Sequence, residues 1–318
     1  MTTNSWRRVT AQLAVALAAI TTPTTAWSWA EATHAYMAKQ TDKAAGQVSA
    51  NELCNRIFGS VAVDMFGYDF TFEGQTLHRV LHDRTMAIPA VPWDFAATDA
   101  ERAFAYGLAS HNNVWGTDAT AHFDGITMGN RDGYVIAKAN VLAGLIGDQV
   151  LPLVGGDVDK LLLVSHILVE YSVDLIVARA DPAIGADLVA ATSCAPAAGT
   201  KLLEDAWLPI FSQYLPEEAA RATIGADAED YRLWVADYGA KLRQPDAQQL
   251  VAGVVAGVAA DFLGIPKEAQ PFYLPFLTNL IYGALDAGQM IVAPDVMGEL
   301  DATIGRVNAE LTTRKITP

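Results

Sequence analysis

The chain has 318 residues, 52% of them hydrophobic, with 36 acidic side chains against 21 basic ones and a net charge of −15. That length holds one large domain or two smaller ones, and that charge argues against a bare surface that binds nucleic acid electrostatically. A bound cation cluster would reverse the sign locally, so a phosphate-bearing substrate stays admissible.

In chain order, residues 1–28 read as an export signal. Arg7 and Arg8 form a basic start, an apolar run covers residues 11–20, and Thr24, Ala26 and Ser28 offer small-residue cleavage sites. The run is too short to span a bilayer. The expected destination is periplasmic or secreted, with no transmembrane helix. In such an oxidising compartment Cys54 and Cys194 can form one disulfide or stay free thiols.

From residue 29 onward apolar residues recur at three and four, the helical period, and no series of alternating strands is visible. The predicted fold is all-α. Pro and Gly punctuate the helices at 88–93, 151–157, 181–187 and 264–275. All six histidines lie between His34 and His166. That shift suggests a metal-binding helical core over 29–180 and a helical C-terminal extension over 181–318 with no assigned role. The uncharged stretch 269–285 reads as a buried core helix or, more sharply, as a patch touching a lipid surface.

The chemistry-bearing residues come in groups. His34 follows Trp29 by five residues. Asp64 is followed by His78 and His82, then Asp83. His111, Asp118 and His122 lie seven and four apart, and His166, Glu170 and Asp174 are each four apart on an apolar helix. Spacing by four stacks side chains on one helix face. A histidine and two carboxylates on a greasy face are costly unless paired or metal-bound. The nearest cations, Lys160 and Arg179, stand outside the run. Imidazole with carboxylate suits zinc. The blander alternative, a polar seam satisfied inside the core, weakens as such groups accumulate along one chain.

These residues resemble the zinc-dependent phospholipase C family, related to the S1/P1 nucleases. Three signatures carry the likeness: Trp29 with His34, the phrase FAYGLASH followed by Asp118 and His122, and His166 with Glu170. The resemblance covers about residues 29–178. It implies a phospholipase C/P1 nuclease-like helical bundle holding two or three zinc ions. Trp29, through its amino group and carbonyl, and His34 would hold one ion. Asp118 would bridge that ion to a second, which also takes Asp64, His111 and either His78 or His82. His122, His166 and Glu170 would hold the third. Two departures stand out: His111 to Asp118 is seven residues where the family usually has four, which requires a broken turn near Gly116, and the terminal ligand requires cleavage just before Trp29.

The implied activity is exported phosphodiester hydrolysis by a zinc-activated water, with phospholipid head groups as the leading substrate and transient contact with a membrane surface. Asp64 would be both ligand and the catalytic group that orients or deprotonates the water. Asp174, one turn past Glu170, would orient a ligand. Trp93, Trp115 and Phe66 are candidates for an apolar cleft wall, although aromatics at helical spacing are usually core. Two alternatives remain: a single-strand nuclease, which wants aromatic platforms and basic residues near the cleft, and a non-catalytic metal-binding surface protein.

Overall fold

The computed structural model describes residues 29–41, 49–129, 132–194 and 197–317. The expected export signal, residues 1–28, lies outside them. The described residues contain no strand, and the all-α expectation holds. Helices run α1 Glu31–Gln40, α2 Ala50–Ala62, α3 Phe72–Leu81, α4 Asp99–Ser110, α5 Thr117–His122, α6 Tyr134–Val150, α7 Val158–Ala180, α8 Ile184–Cys194, α9 Ala197–Phe211, α10 Glu217–Leu242, α11 Ala247–Phe262, α12 Gln270–Val292 and α13 Val296–Thr313. Two 3-10 segments, Val63–Tyr68 and Ile88–Asp94, join them.

Local chemistry starts several helices in register. Ser49 with Glu52 and Thr98 with Glu101 form reciprocal capping boxes at α2 and α4, and Thr71 and Asp157 cap α3 and α7. At the α2–α4 crossing the backbones nearly touch. A Cβ on Gly59 would lie 2.1 Å from the Phe104 carbonyl oxygen, and one on Gly107 would lie 2.2 Å from that of Arg56. Only glycine permits this approach. It brings the end of α2 against the end of α4, where two candidate ligands begin.

Helix α7 is long and apolar enough to cross a membrane by composition, yet 67% of its apolar window is buried in the protein. It runs through the core, packed by α6 and α12. Buried there, the stripe of His166, Glu170 and Asp174 needs partners from neighbouring elements or a bound cation.

The expected boundary at residue 180 does not divide the core. The segment 181–318 is helical, but one continuous hydrophobic cluster takes residues from both sides. Trp207 Nε1 donates to the Ile88 carbonyl at 3.2 Å. Thr303 and Thr120 hydroxyls meet at 2.9 Å, and the Glu299 carboxylate accepts from the Ile126 and Thr127 amides at 2.7 Å each. The cysteine question is also resolved: Cys54 on α2 and Cys194 on α8 form a disulfide across 140 residues. The segment 269–285 falls in α12 and is two-faced. Leu277, Ile281, Ala284 and Leu285 are buried, whereas Phe272 is 83% exposed and Phe276 49%.

Candidate metal centre

Five short stretches deliver one cluster. Asp64 comes from the 3-10 turn after α2, His34 from α1, His82 from the C-cap of α3, His111 from the C-cap of α4 and Asp118 from the first turn of α5. His82 Nε2 lies 3.2 Å from Asp64 Oδ1 and 3.5 Å from Asp118 Oδ2. His111 Nε2 lies 3.4 Å and 3.1 Å from the same two oxygens. His34 Nε2 approaches the other oxygens, Asp118 Oδ1 at 3.4 Å and Asp64 Oδ2 at 4.0 Å. Asp118, fully buried, therefore turns one oxygen to His34 and the other to His82 and His111. A second group sits on α5 and α7. His166 Nε2 is 2.6 Å from Glu170 Oε1, and His122 Nε2 is 3.8 Å from the same oxygen.

The tautomers decide what these distances mean. His111 Nδ1 is 2.6 Å from the Ser60 carbonyl oxygen, and His82 Nδ1 is 2.9 Å from that of His78. A carbonyl only accepts, so each Nδ1 carries the proton and donates it. Each Nε2 is left to present a lone pair towards carboxylate oxygens. Lone pairs facing anions in a buried site require a cation between them, either a second ring proton or a metal ion. Ligand histidines tied by the far nitrogen to a carbonyl are the usual outer support of metal sites.

The donor set fits a metal. Four atoms each bound at about 2 Å in a tetrahedron lie about 3.3 Å from one another. The four edges joining His82 and His111 to Asp64 and Asp118 are 3.1, 3.2, 3.4 and 3.5 Å. Three groups of buried or nearly buried ligands can each hold an ion: His34–Asp64–His111, His82–His111–Asp118 and His122–His166–Glu170.

Electrostatics follow from burial and crowding. Burial alone would lower the His111 value, but the Asp118 and Asp64 charges outweigh it and push it well above the ordinary imidazole range. Burial would raise Asp64, yet His111 and His82 hold it well below the usual carboxylate value. His34 is driven well down by burial and by the charge of His111. Glu170 is pushed well up by burial and then by the charges of Asp64 and Asp118.

The candidate ligands named from the sequence gather near this centre. His82 reaches the Asp64–Asp118 pair, and His78 lines the small cavity beside Asp64 and Glu170. His78 stacks on His82 with ring centroids 4.1 Å apart and packs against Gly67, where a Cβ would sit 3.2 Å from its ring. Trp29 is fully buried, stacks on Tyr134 at 5.6 Å and donates from Nε1 to the Thr117 carbonyl. Its backbone hydrogen-bonds the His34 ring. The seven-residue interval before Asp118 is a tight turn. Asn112 Oδ1 accepts from the amides of Val114 and Trp115, and a Cβ on Gly116 would lie 2.5 Å from Ser110 and Asn112 backbone atoms. The turn restarts the helix at Thr117 and returns Asp118 to His111.

Asp174 does not touch a ligand. Its oxygens accept from the Ala32 amide at 2.9 Å, the Thr33 amide at 2.7 Å, the Thr33 hydroxyl at 2.6 Å and the Tyr238 hydroxyl at 2.8 Å. It pins the first turn of α1, the helix that carries His34, against α7 and α10, and burial raises it to about 6. The aromatic candidates are structural: Phe66 packs on Trp207 and Phe211, and Trp93 and Trp115 join a small cluster under α13.

One residue was missed. Glu31 is fully buried, accepts from the hydroxyls of Tyr68 at 2.7 Å and Tyr231 at 3.1 Å, and is pushed up to about 8 by burial and by the Asp174 charge. Its Oε2 has no hydrogen-bond partner among the described residues. It lines, with Trp29, Asp64 and Glu170, a cavity of about 10 Å³, room for one water. The available signal was its place between Trp29 and His34.

Comparison of this chain with protein-family models, with characterised proteins and with solved structures found no match.

Proposed function

We propose that this protein is an exported zinc-dependent phosphodiester hydrolase acting on phospholipid head groups. The observation that carries the reading is Asp118, whose two oxygens address His34 on one side and His82 with His111 on the other, next to a third group at Glu170. Adjacent ions sharing a carboxylate are the arrangement that clamps the attacking and leaving oxygens of an in-line displacement at phosphorus. Trp29 and His34 would hold one ion, Asp64, His82, His111 and Asp118 a second, and His122, His166 and Glu170 a third. Zinc bound there supplies Lewis acidity, lowering the pKa of a coordinated water and polarising a phosphoryl oxygen.

The chain's own residues do the rest. Asp64 and Glu170 border the water-sized cavity, which supports Asp64 as the group that would orient a water and accept its proton. The Ser60 and His78 carbonyls lock the His111 and His82 rings, which keeps their Nε2 atoms aimed inward. Near-total burial excludes bulk water and strengthens each interaction with developing charge.

Lipid is favoured over nucleic acid by the charge of −15 and by apolar surface on α12, where Phe272 and Phe276 stand exposed. Export accords with the Cys54–Cys194 disulfide, a bond suited to an oxidising compartment. The test is to purify the mature chain without chelator, measure its metals, and assay bis(p-nitrophenyl) phosphate, phosphatidylcholine and single-stranded DNA. Two or three zinc ions with lipid hydrolysis are expected. A fully loaded protein that cleaves none of the three would leave a metal-binding surface protein as the reading.

A further inference from the structure

A second cavity, about 650 Å³, opens between α11, α10 and the segment just after the 3-10 turn that carries Asp64. Its long wall is one face of α11, with Leu250, Val254 and Val258. Its inner end is aromatic. The Tyr68 and Trp234 rings lie there with centroids 4.3 Å apart. Tyr68 is also a wall of the small cavity at the metal centre, alongside Asp64 and Glu170. Its hydroxyl donates to Glu31 Oε1 and lies 2.9 Å from that of Tyr171. One side chain thus borders both the open apolar groove and the small cavity at the candidate reaction centre.

We propose that this groove binds an apolar chain of the substrate, lying along α11 while the phosphodiester is held at the metal centre. The inference rests on the phosphodiesterase reading and adds a tail-binding site in the C-terminal half of the chain. The volume falls in the range of small-molecule sites. The charge on the walls selects the occupant. Lys241 is paired with Asp237, and Asp261 is held by Lys267 and Gln270. The groove therefore offers paired charges at its rim, and Asp237 and Asp261 disfavour a polyanionic backbone. An uncharged hydrocarbon chain meets no such penalty and gains by leaving water. Continuity through Tyr68 sets the order: polar end at the metals, apolar end on α11.

The groove can be filled without disturbing the fold. Gly253 and Gly257 face it, and a Cβ added to either would meet nothing within 4 Å. Both are inside α11, where leucine is a better helix former than glycine. The experiment compares wild type, Gly253→Leu and Gly257→Leu, with zinc content measured in each. The expected result is KM for diheptanoyl phosphatidylcholine raised roughly tenfold or more, with bis(p-nitrophenyl) phosphate turnover and zinc content unchanged. Equal effects on both esters, or none on the lipid, would overturn the proposal. A second arm does not need turnover. A lysolipid brominated along its chain should quench the fluorescence of wild type, less so that of Gly257→Leu and of Trp234→Phe. No quenching, or displacement of the bromolipid by single-stranded DNA as a stacked ligand, would overturn the groove as a tail site. Failure of the phosphodiesterase reading looks different: wild type would hydrolyse neither ester, and the quenching arm would still decide the groove.

Discussion

Replacing Asp118 and His166 separately by alanine makes unequal demands on the metal reading. Asp118 contributes an oxygen to the His34 side and another to the His82–His111 side, so its loss opens two positions. His166 belongs only to the group with His122 and Glu170, so its loss opens one. Zinc content measured by elemental analysis should fall by about two ions in Asp118→Ala and about one in His166→Ala. Each ion held at a free concentration near 100 times its dissociation constant stabilises the fold by about 2.7 kcal/mol. The unfolding entropy of a chain this size is about 0.6 kcal/mol/K, so the melting temperature should drop by roughly 5 °C for His166→Ala and roughly 9 °C for Asp118→Ala. Added chelator should bring wild type down further than either variant and compress the differences. Phosphodiester turnover should fall by a factor on the order of 100 or more in both. Equal zinc loss in the two variants would refute the bridging role of Asp118, and unchanged zinc in both would mean that the cluster is a buried polar network.

Other consequences can be checked alongside. His82→Ala should lose one zinc ion, because His82 reaches both Asp64 and Asp118; unchanged metal content in His82→Ala with loss in His78→Ala would reassign the ligand. Breaking Cys54–Cys194 frees a loop of 140 residues, which by chain entropy costs about 5 kcal/mol, or a melting temperature roughly 8 °C lower in Cys54→Ala/Cys194→Ala; melts that coincide with and without reductant would show that the cysteines do not pair. In chelator-stripped protein, Glu31, raised to about 8 by burial, contributes stability that is fully present below its unfolded value near 4.5 and is lost as pH rises through about 8. Glu31→Gln should therefore flatten the decline in unfolding free energy between pH 5 and 8, and urea titrations across that window that leave the two slopes parallel would reject the assignment.

The sequence by itself determined the helical class and most of the residues that gather at the candidate metal centre. Apolar residues at three and four specify helices whatever they pack against, and a spacing of four placed His166 and Glu170 on one face before any packing was known. Residue type narrowed the chemistry too, since imidazole and carboxylate on a buried stripe need protons or metal. Tertiary structure alone brought His82 to the Asp64–Asp118 pair. The end of α3, where His82 hydrogen-bonds back to the His78 carbonyl, turns its Nε2 to Asp64. It also decided that Cys54 meets Cys194, that Asp174 pins α1 rather than a ligand, and that Glu31 faces two tyrosines, one of them 200 residues away. The supposed extension after residue 180 became part of the core for the same reason. Periodicity says which face of a helix is apolar but not which other face will cover it, and that choice is made by the packing of the whole chain.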